Sequence, residues 1–122
     1  MSRSGKTPPL EWADGTYEFG LNWGELAALQ DACDAGPFVV LARLASSQWR
    51  IEDVSTTIRL GLIGGGIEPT KALKLVKTYV ESRPQDLVLN ASFARGILET
   101  AIVGAPDEPP GEPQAAPEKA SD

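Results

Sequence analysis

Residues 21–37 read Leu21-Asn22-Trp23-Gly24-Glu25-Leu26-Ala27-Ala28-Leu29-Gln30-Asp31-Ala32-Cys33-Asp34-Ala35-Gly36-Pro37, and this stretch decides the fold class. Asn22 is a good helix cap, and Glu25 three residues later completes a capping box, in which each side chain satisfies a free backbone N–H of the other. Leu21 and Leu26 are placed for the hydrophobic staple that accompanies such a box. Leu26, Leu29 and Cys33 then recur at i, i+3 and i+7, the stripe of a helix with one buried face. Gly36 and Pro37 end it.

Upstream, residues 10–21 alternate around Asp14-Gly15. A two-residue Asp-Gly loop calls for a type I′ turn, because both positions take positive φ. That register pairs Trp12 with Tyr17 and Leu10 with Phe19 on one face, and sets Glu11 against Glu18 on the other. The like-charge pair marks the second face as solvated. A lone hairpin is marginal in water, so its aromatic face is expected to cover helices. Residues 1–9 are small, polar and proline-containing, and read as a flexible arm.

Downstream, four further helices are expected. Residues 38–46 are apolar around most of their circumference, and Leu41-Ala42-Arg43-Leu44-Ala45 favours helix over strand. Trp49-Arg50-Ile51 reads as a short extended link. Glu52 or Asp53 opens a third helix with Val54, Ile58 and Leu62 on one face, stopped by Gly64-Gly65-Gly66. A fourth begins near Pro69, a residue suited to the first helical position. It buries Leu73, Val76, Tyr79 and Val80 and turns Lys71, Lys74 and Lys77 outward. A fifth covers residues 85–103, with Leu87, Ala91, Ala94, Leu98, Ala101 and Ile102 on its apolar face and Phe93 and Ile97 alongside. The fold class is therefore mainly α, a small α+β domain over residues 10–104 with an N-terminal β-hairpin and about five helices. Residues 105–122 hold Pro, Glu, Ala and Gly but no large apolar side chain. They cannot offset their ordering entropy by burial and are expected to form a disordered acidic tail.

The charge distribution narrows the partners. Of the net −6, the last 18 residues contribute −4, five acids against Lys119, which leaves −2 on the body. A nearly neutral body with an acidic tail argues against nucleic acid, whose phosphates require a positive footprint. No apolar run approaches the roughly 18–20 residues that span a membrane, and residues 1–9 have no apolar core of a secretory signal. The single cysteine, Cys33, allows no internal disulfide, which fits a reducing compartment. A cytoplasmic protein is expected.

The chain has no histidine, so the commonest general base and the commonest metal ligand are both missing. Gly64-Gly65-Gly66 lacks the Gly-Lys-Ser/Thr order of a phosphate loop, and Pro69 stands where a dinucleotide fingerprint needs its third glycine. Cys33 lies on an apolar helix face without a base to activate it and reads as a core residue. Glu52-Asp53 and Asp31/Asp34 read as solvated surface acids. Lys71, Lys74 and Lys77 read as a solvated face, with a docking strip for an acidic partner as the sharper alternative. The expectation is no catalytic, cofactor or metal site, and no enzyme.

Three residues invite a partner-binding reading. Trp49, in a break between helices, either plugs the core or belongs to a binding surface. Phe38 and Val39 carry the same ambiguity, since a domain of this size need not bury every face of so apolar a helix.

Several fragments in order resemble a known family. They are Tyr17-Glu18-Phe19 ending the hairpin, Gly24-Glu25-Leu26-Ala27-Ala28-Leu29 entering the first helix, and Val54 with Ile58-Arg59-Leu60-Gly61-Leu62 running into Gly64-Gly65-Gly66. Ala72 and Leu75-Val76 follow, and the last helix closes as Ile97-Leu98-Glu99 before Gly104. The sequence resembles the phage-tail family of gene transfer agents and related prophages, usually described as tail assembly chaperones, over residues 15–104. The resemblance implies a non-enzymatic role in the bacterial host cell: binding the tape measure protein, keeping its helical apolar stretches soluble, and helping tail tube protein assemble around it. Some descriptions of the family instead name tail tube components, which makes a structural tube or connector subunit the alternative. On the chaperone reading, Phe38, Val39 and Trp49 contribute to an apolar groove for the client.

Overall fold

Asn22 and Glu25 open the first helix as their spacing requires. In the computed structural model, which describes residues 5–104, Glu25 Oε1 accepts the Asn22 backbone N–H at 2.9 Å. Helix α1 (Trp23–Cys33) buries Leu29 and Cys33 and ends just short of where Gly36-Pro37 suggests. Asp34 takes the left-handed C-cap, at φ 52°, and its N–H bonds Gln30 O. An Asp tolerates that conformation better than most residues, because its short polar side chain can bond locally. Pro37 instead opens α2 (Pro37–Ala45) at its first position.

Helix α3 (Ile51–Gly64) starts one residue before the expected acids. Val54, Ile58 and Leu62 are buried as their spacing predicts, but so are Asp53, Thr56 and Leu60 on the opposite face. The reason is position: α3 packs against α1 on one side and, on others, against α4 (Pro69–Val76) and α5 (Leu87–Val103). Helix α2 packs chiefly against α5 instead.

Between α4 and α5 the chain is not a plain helix. Residues Lys77–Glu81 form a π turn, in which Ser82 donates to Lys77 O from both its backbone N, at 3.0 Å, and its hydroxyl, at 2.8 Å. A short 3₁₀ turn, Pro84–Asp86, precedes α5. The buried face of this segment also differs from the expected one, with Tyr79 only half-buried. Ala72, Leu75, Val76 and Val80 are buried, whereas Leu73 is exposed. On α5, Ala91, Ala94, Ile97 and Leu98 are buried, while Ile102 at the last turn is exposed.

The hairpin forms, in a shifted register. Strands β1 (Leu10–Trp12) and β2 (Gly15–Tyr17) pair antiparallel with Leu10 opposite Tyr17, Glu11 opposite Thr16 and Trp12 opposite Gly15. The loop is Ala13-Asp14, and of the two only Ala13 takes positive φ, at 57°. The expected Asp14-Gly15 loop, with its Trp12–Tyr17 and Leu10–Phe19 pairs, is therefore not adopted. A two-residue slip keeps every side chain on its face, since strand side chains alternate with period two. It also separates Glu11 from Glu18, which faces Lys6 at 3.6 Å.

The slip frees Phe19 for a different partner. Thr7 N–H donates to Phe19 O at 2.7 Å, and Phe19 N–H donates to the Thr7 hydroxyl at 3.1 Å. Lys6 bridges to Gly20 beside them. Thus Lys6 and Thr7, within the expected flexible arm, are held against the domain; residues 1–4 and the expected disordered tail, 105–122, lie outside the described residues.

The aromatic face covers helices, as a hairpin of this size requires. Trp12 meets Tyr17, Phe19 and Tyr79 edge-on at 5.9–6.2 Å and stacks on Phe93 of α5 at 6.1 Å. Its indole N–H donates to Asn90 Oδ1 at 3.3 Å, and the Asn90 amide donates in turn to Tyr79 O at 3.4 Å. One buried amide thereby joins hairpin, π turn and α5.

Candidate partner-binding surface

Two of the polar side chains buried in this fold, Asp53 and Asn90, are engaged in holding it, whereas the buried Thr57 hydroxyl has no hydrogen-bond partner among the described residues. Asp53, read from sequence as a surface acid, is fully buried. Its carboxylate accepts from Arg43 Nη1 at 3.3 Å and from the Arg50 backbone N–H at 2.8 Å. Arg43 also donates to Cys33 O at 3.5 Å. This one pair links α1, α2 and the start of α3. Cys33 lies against it in the core, and burial, with the Asp53 charge and hydrogen bond next, pushes its thiol up to about 12. A thiol so held is a poor nucleophile at neutral pH. Tyr17 is likewise raised to about 12, first because its hydroxyl donates to the Asp14 carboxylate.

The triple glycine is a seat for backbone. A Cβ on Gly65 would stand 1.9 Å from Glu18 O, and one on Gly64 would stand 2.0 Å from Gly20 O. Gly20 N–H donates to Gly61 O at 3.0 Å. The end of α3 therefore lies directly on the chain leaving the hairpin, at a distance that only glycine permits. Gly66, at φ 112°, then turns the chain toward α4. The motif reads as a helix stop in sequence; its close approach to residues 18–20 is a tertiary fact.

The three residues singled out for partner binding do not share one environment. Phe38 is 70% exposed and Val39 49%, on the outer side of α2. Phe38 edges a small hollow of about 190 Å³ with Leu41, Ala42, Ala45 and the Arg95–Glu99 ion pair of α5. Trp49 is half-buried against the core, in the link between α2 and α3. Further large apolar side chains stand exposed that periodicity did not mark out: Trp23 at the first position of α1, Ile51 at the first of α3, and Val88 and Leu89 in the first turn of α5. Their common signal is placement at helix starts, where a residue can precede the buried stripe. Lys71, Lys74 and Lys77 are exposed, as expected, with Lys71 lying 6.0 Å over the Tyr17 ring.

A family model described as phage tail tube protein, GTA-gp10, matches residues 7–104. The chain belongs to that family. The match starts at Thr7, which pairs with Phe19, and stops at Gly104, the C-cap of α5. The GTA-gp10 family region thus coincides with the packed unit, and it extends the likeness read from residues 15–104 to the segment that holds the hairpin down. No curated protein and no solved structure matches the chain. Among the described residues, no cluster of His, Cys, Asp and Glu is arranged to hold a metal ion, and no helix is long and apolar enough to cross a membrane.

Proposed function

We propose that this chain is a non-catalytic, structural component of the phage tail that works at the tail tube through protein contacts. The family match over residues 7–104 carries the reading. The exposed apolar side chains on α1, α2, α3 and α5 support it, because large aromatic and aliphatic groups left in water are the anchors of protein interfaces. Quantitative analysis of purified particles tests it. A tube component is expected at a fixed ratio to the other tail proteins.

A second reading, an assembly chaperone for tape measure and tail tube proteins in the bacterial host, has its own support. The sheet among the described residues is one pair of three-residue strands, a slight basis for subunits that join through sheets into a ring. Exposed apolar helix faces suit helical clients better. This reading expects the chain in assembling tails and its absence from finished particles. Co-expression with a tape measure protein and pull-down of Phe38→Asp adds a test of the surface. Phe38 is exposed, so the variant keeps its fold and a loss of client reports contact. Undiminished capture places the contact elsewhere.

A further inference from the structure

The π turn lines one side of a groove around Ile51. Within it Val80 is in the core and Glu81 is at the surface. Val80, Pro84 and Leu87 form one wall and Ile51, at the start of α3, the other, around about 470 Å³. Ile51 is 61% exposed. Glu52 and Glu81 stand at the rim, both exposed, and neither is in an ion pair with a described residue. The rim hydroxyl, Ser55, donates to Ile51 O at 3.2 Å.

Charge separates this groove from two other hollows. The hollow beside Phe38 carries the neutralised Arg95–Glu99 pair. The one beneath the hairpin mixes Glu11 and Asp86 with Arg83, whose guanidinium lies 4.9 Å over the Tyr79 ring. Of these three hollows among the described residues, the Ile51 groove combines an apolar interior with charges of a single sign.

We infer that the Ile51 groove receives a helix of a partner protein that inserts apolar side chains and flanks them with lysine or arginine. Apolar anchors at i, i+3 or i+4, and i+7 provide the seating, and basic residues beside them meet Glu52 and Glu81. The acidic rim selects the partner and speeds its approach more than it holds it. The inference deepens the proposal that the chain works by binding other proteins and names the chemistry of one partner surface.

The test uses the full chain with labelled methyl groups and two synthetic helical peptides. Both present leucines at i, i+3 and i+7, one flanked by lysines and the other by glutamates. The lysine peptide is expected to shift the Ile51, Val80 and Leu87 methyl signals and to bind at least about tenfold more tightly than the glutamate peptide, less so as salt rises. Glu52→Lys with Glu81→Lys is expected to reverse the preference. Ile51→Asp, at an exposed position, is expected to abolish both while the circular dichroism stays unchanged. Equal affinity for the two peptides, shifts centred on Phe38 and Val39, or no shifts at millimolar peptide overturns the inference. Particle composition and client pull-down stand apart from this result, so a failed groove with a retained client removes the groove alone.

Discussion

Asp53 and Arg43 form a charge pair 3.3 Å apart, with the carboxylate wholly shielded from water and the guanidinium only partly so. The carboxylate also caps the start of α3 through the Arg50 N–H. Removing one partner of a buried pair leaves the other uncompensated. Asp53→Ala is therefore expected to lower stability by about 3 kcal/mol in urea unfolding. Leucine at both positions is expected to recover most of this and to remain about 1 kcal/mol below the parent, the worth of the lost cap. If the double variant is no more stable than Asp53→Ala, the pair is not the source of the loss.

The glycines divide into two kinds. Gly65→Ala puts a methyl into Glu18 O, so the hairpin segment must move, at an expected loss of about 1–3 kcal/mol or more. Gly96, inside α5, has nothing within 4 Å of an added Cβ. Gly96→Ala is expected to stabilise by about 0.5–1 kcal/mol, through the lower entropy of the unfolded chain. Thermal unfolding of the two variants should shift in opposite directions; a shift in the same direction refutes the packing account.

Asn90 is the polar joint under the hairpin. Asn90→Ala leaves the Trp12 indole N–H and Tyr79 O without their partner, and should destabilise by roughly 1–3 kcal/mol. Amide exchange is expected to quicken most in the hairpin and the π turn. A uniform increase along the chain would show that the amide does not couple these elements.

Alkaline stability follows from two raised groups. Unfolded, Cys33 and Tyr17 ionise near 9.0 and 10.0; folded, each is held up to about 12. The fold favours their neutral forms, so the contribution is whole below pH 9 and is lost as pH climbs toward 12. Cys33→Ala is expected to flatten the early part of that decline and Tyr17→Phe the later part, read from urea midpoints between pH 8 and 11.5. The native thiol should also react slowly with a disulfide reagent at pH 8 and quickly in denaturant. Fast native reaction would contradict its burial.

Local signals carried the helical fold. Asn22 and Glu25 mark the first helix start because capping is settled within four residues, and Val54, Ile58 and Leu62 mark the α3 stripe because a helix repeats every 3.6 residues. The same signals name the apolar face of the hairpin, since strand alternation survives a slip of two. They could not choose between registers: that rests on Phe19 bonding Thr7 and packing on Phe93, 12 and 74 residues away in the chain. Nor could they show that Asp53 meets Arg43 in the core.

For the candidate surface, sequence placed Phe38 and Val39 on an over-apolar helix, and both are exposed there. Trp49 differs little from them in composition and yet lies half-buried, because what covers a side chain is decided by neighbouring elements. The Ile51 groove was invisible for the same reason. Its walls come from the start of α3 and from a π turn, a departure from regular helix that no local pattern in residues 77–81 announces. Sequence determined which segments are helices and hairpin, because backbone preference and periodicity are local. Tertiary structure alone decided which apolar side chains remain outside, because burial depends on surfaces brought together from distant parts of the chain.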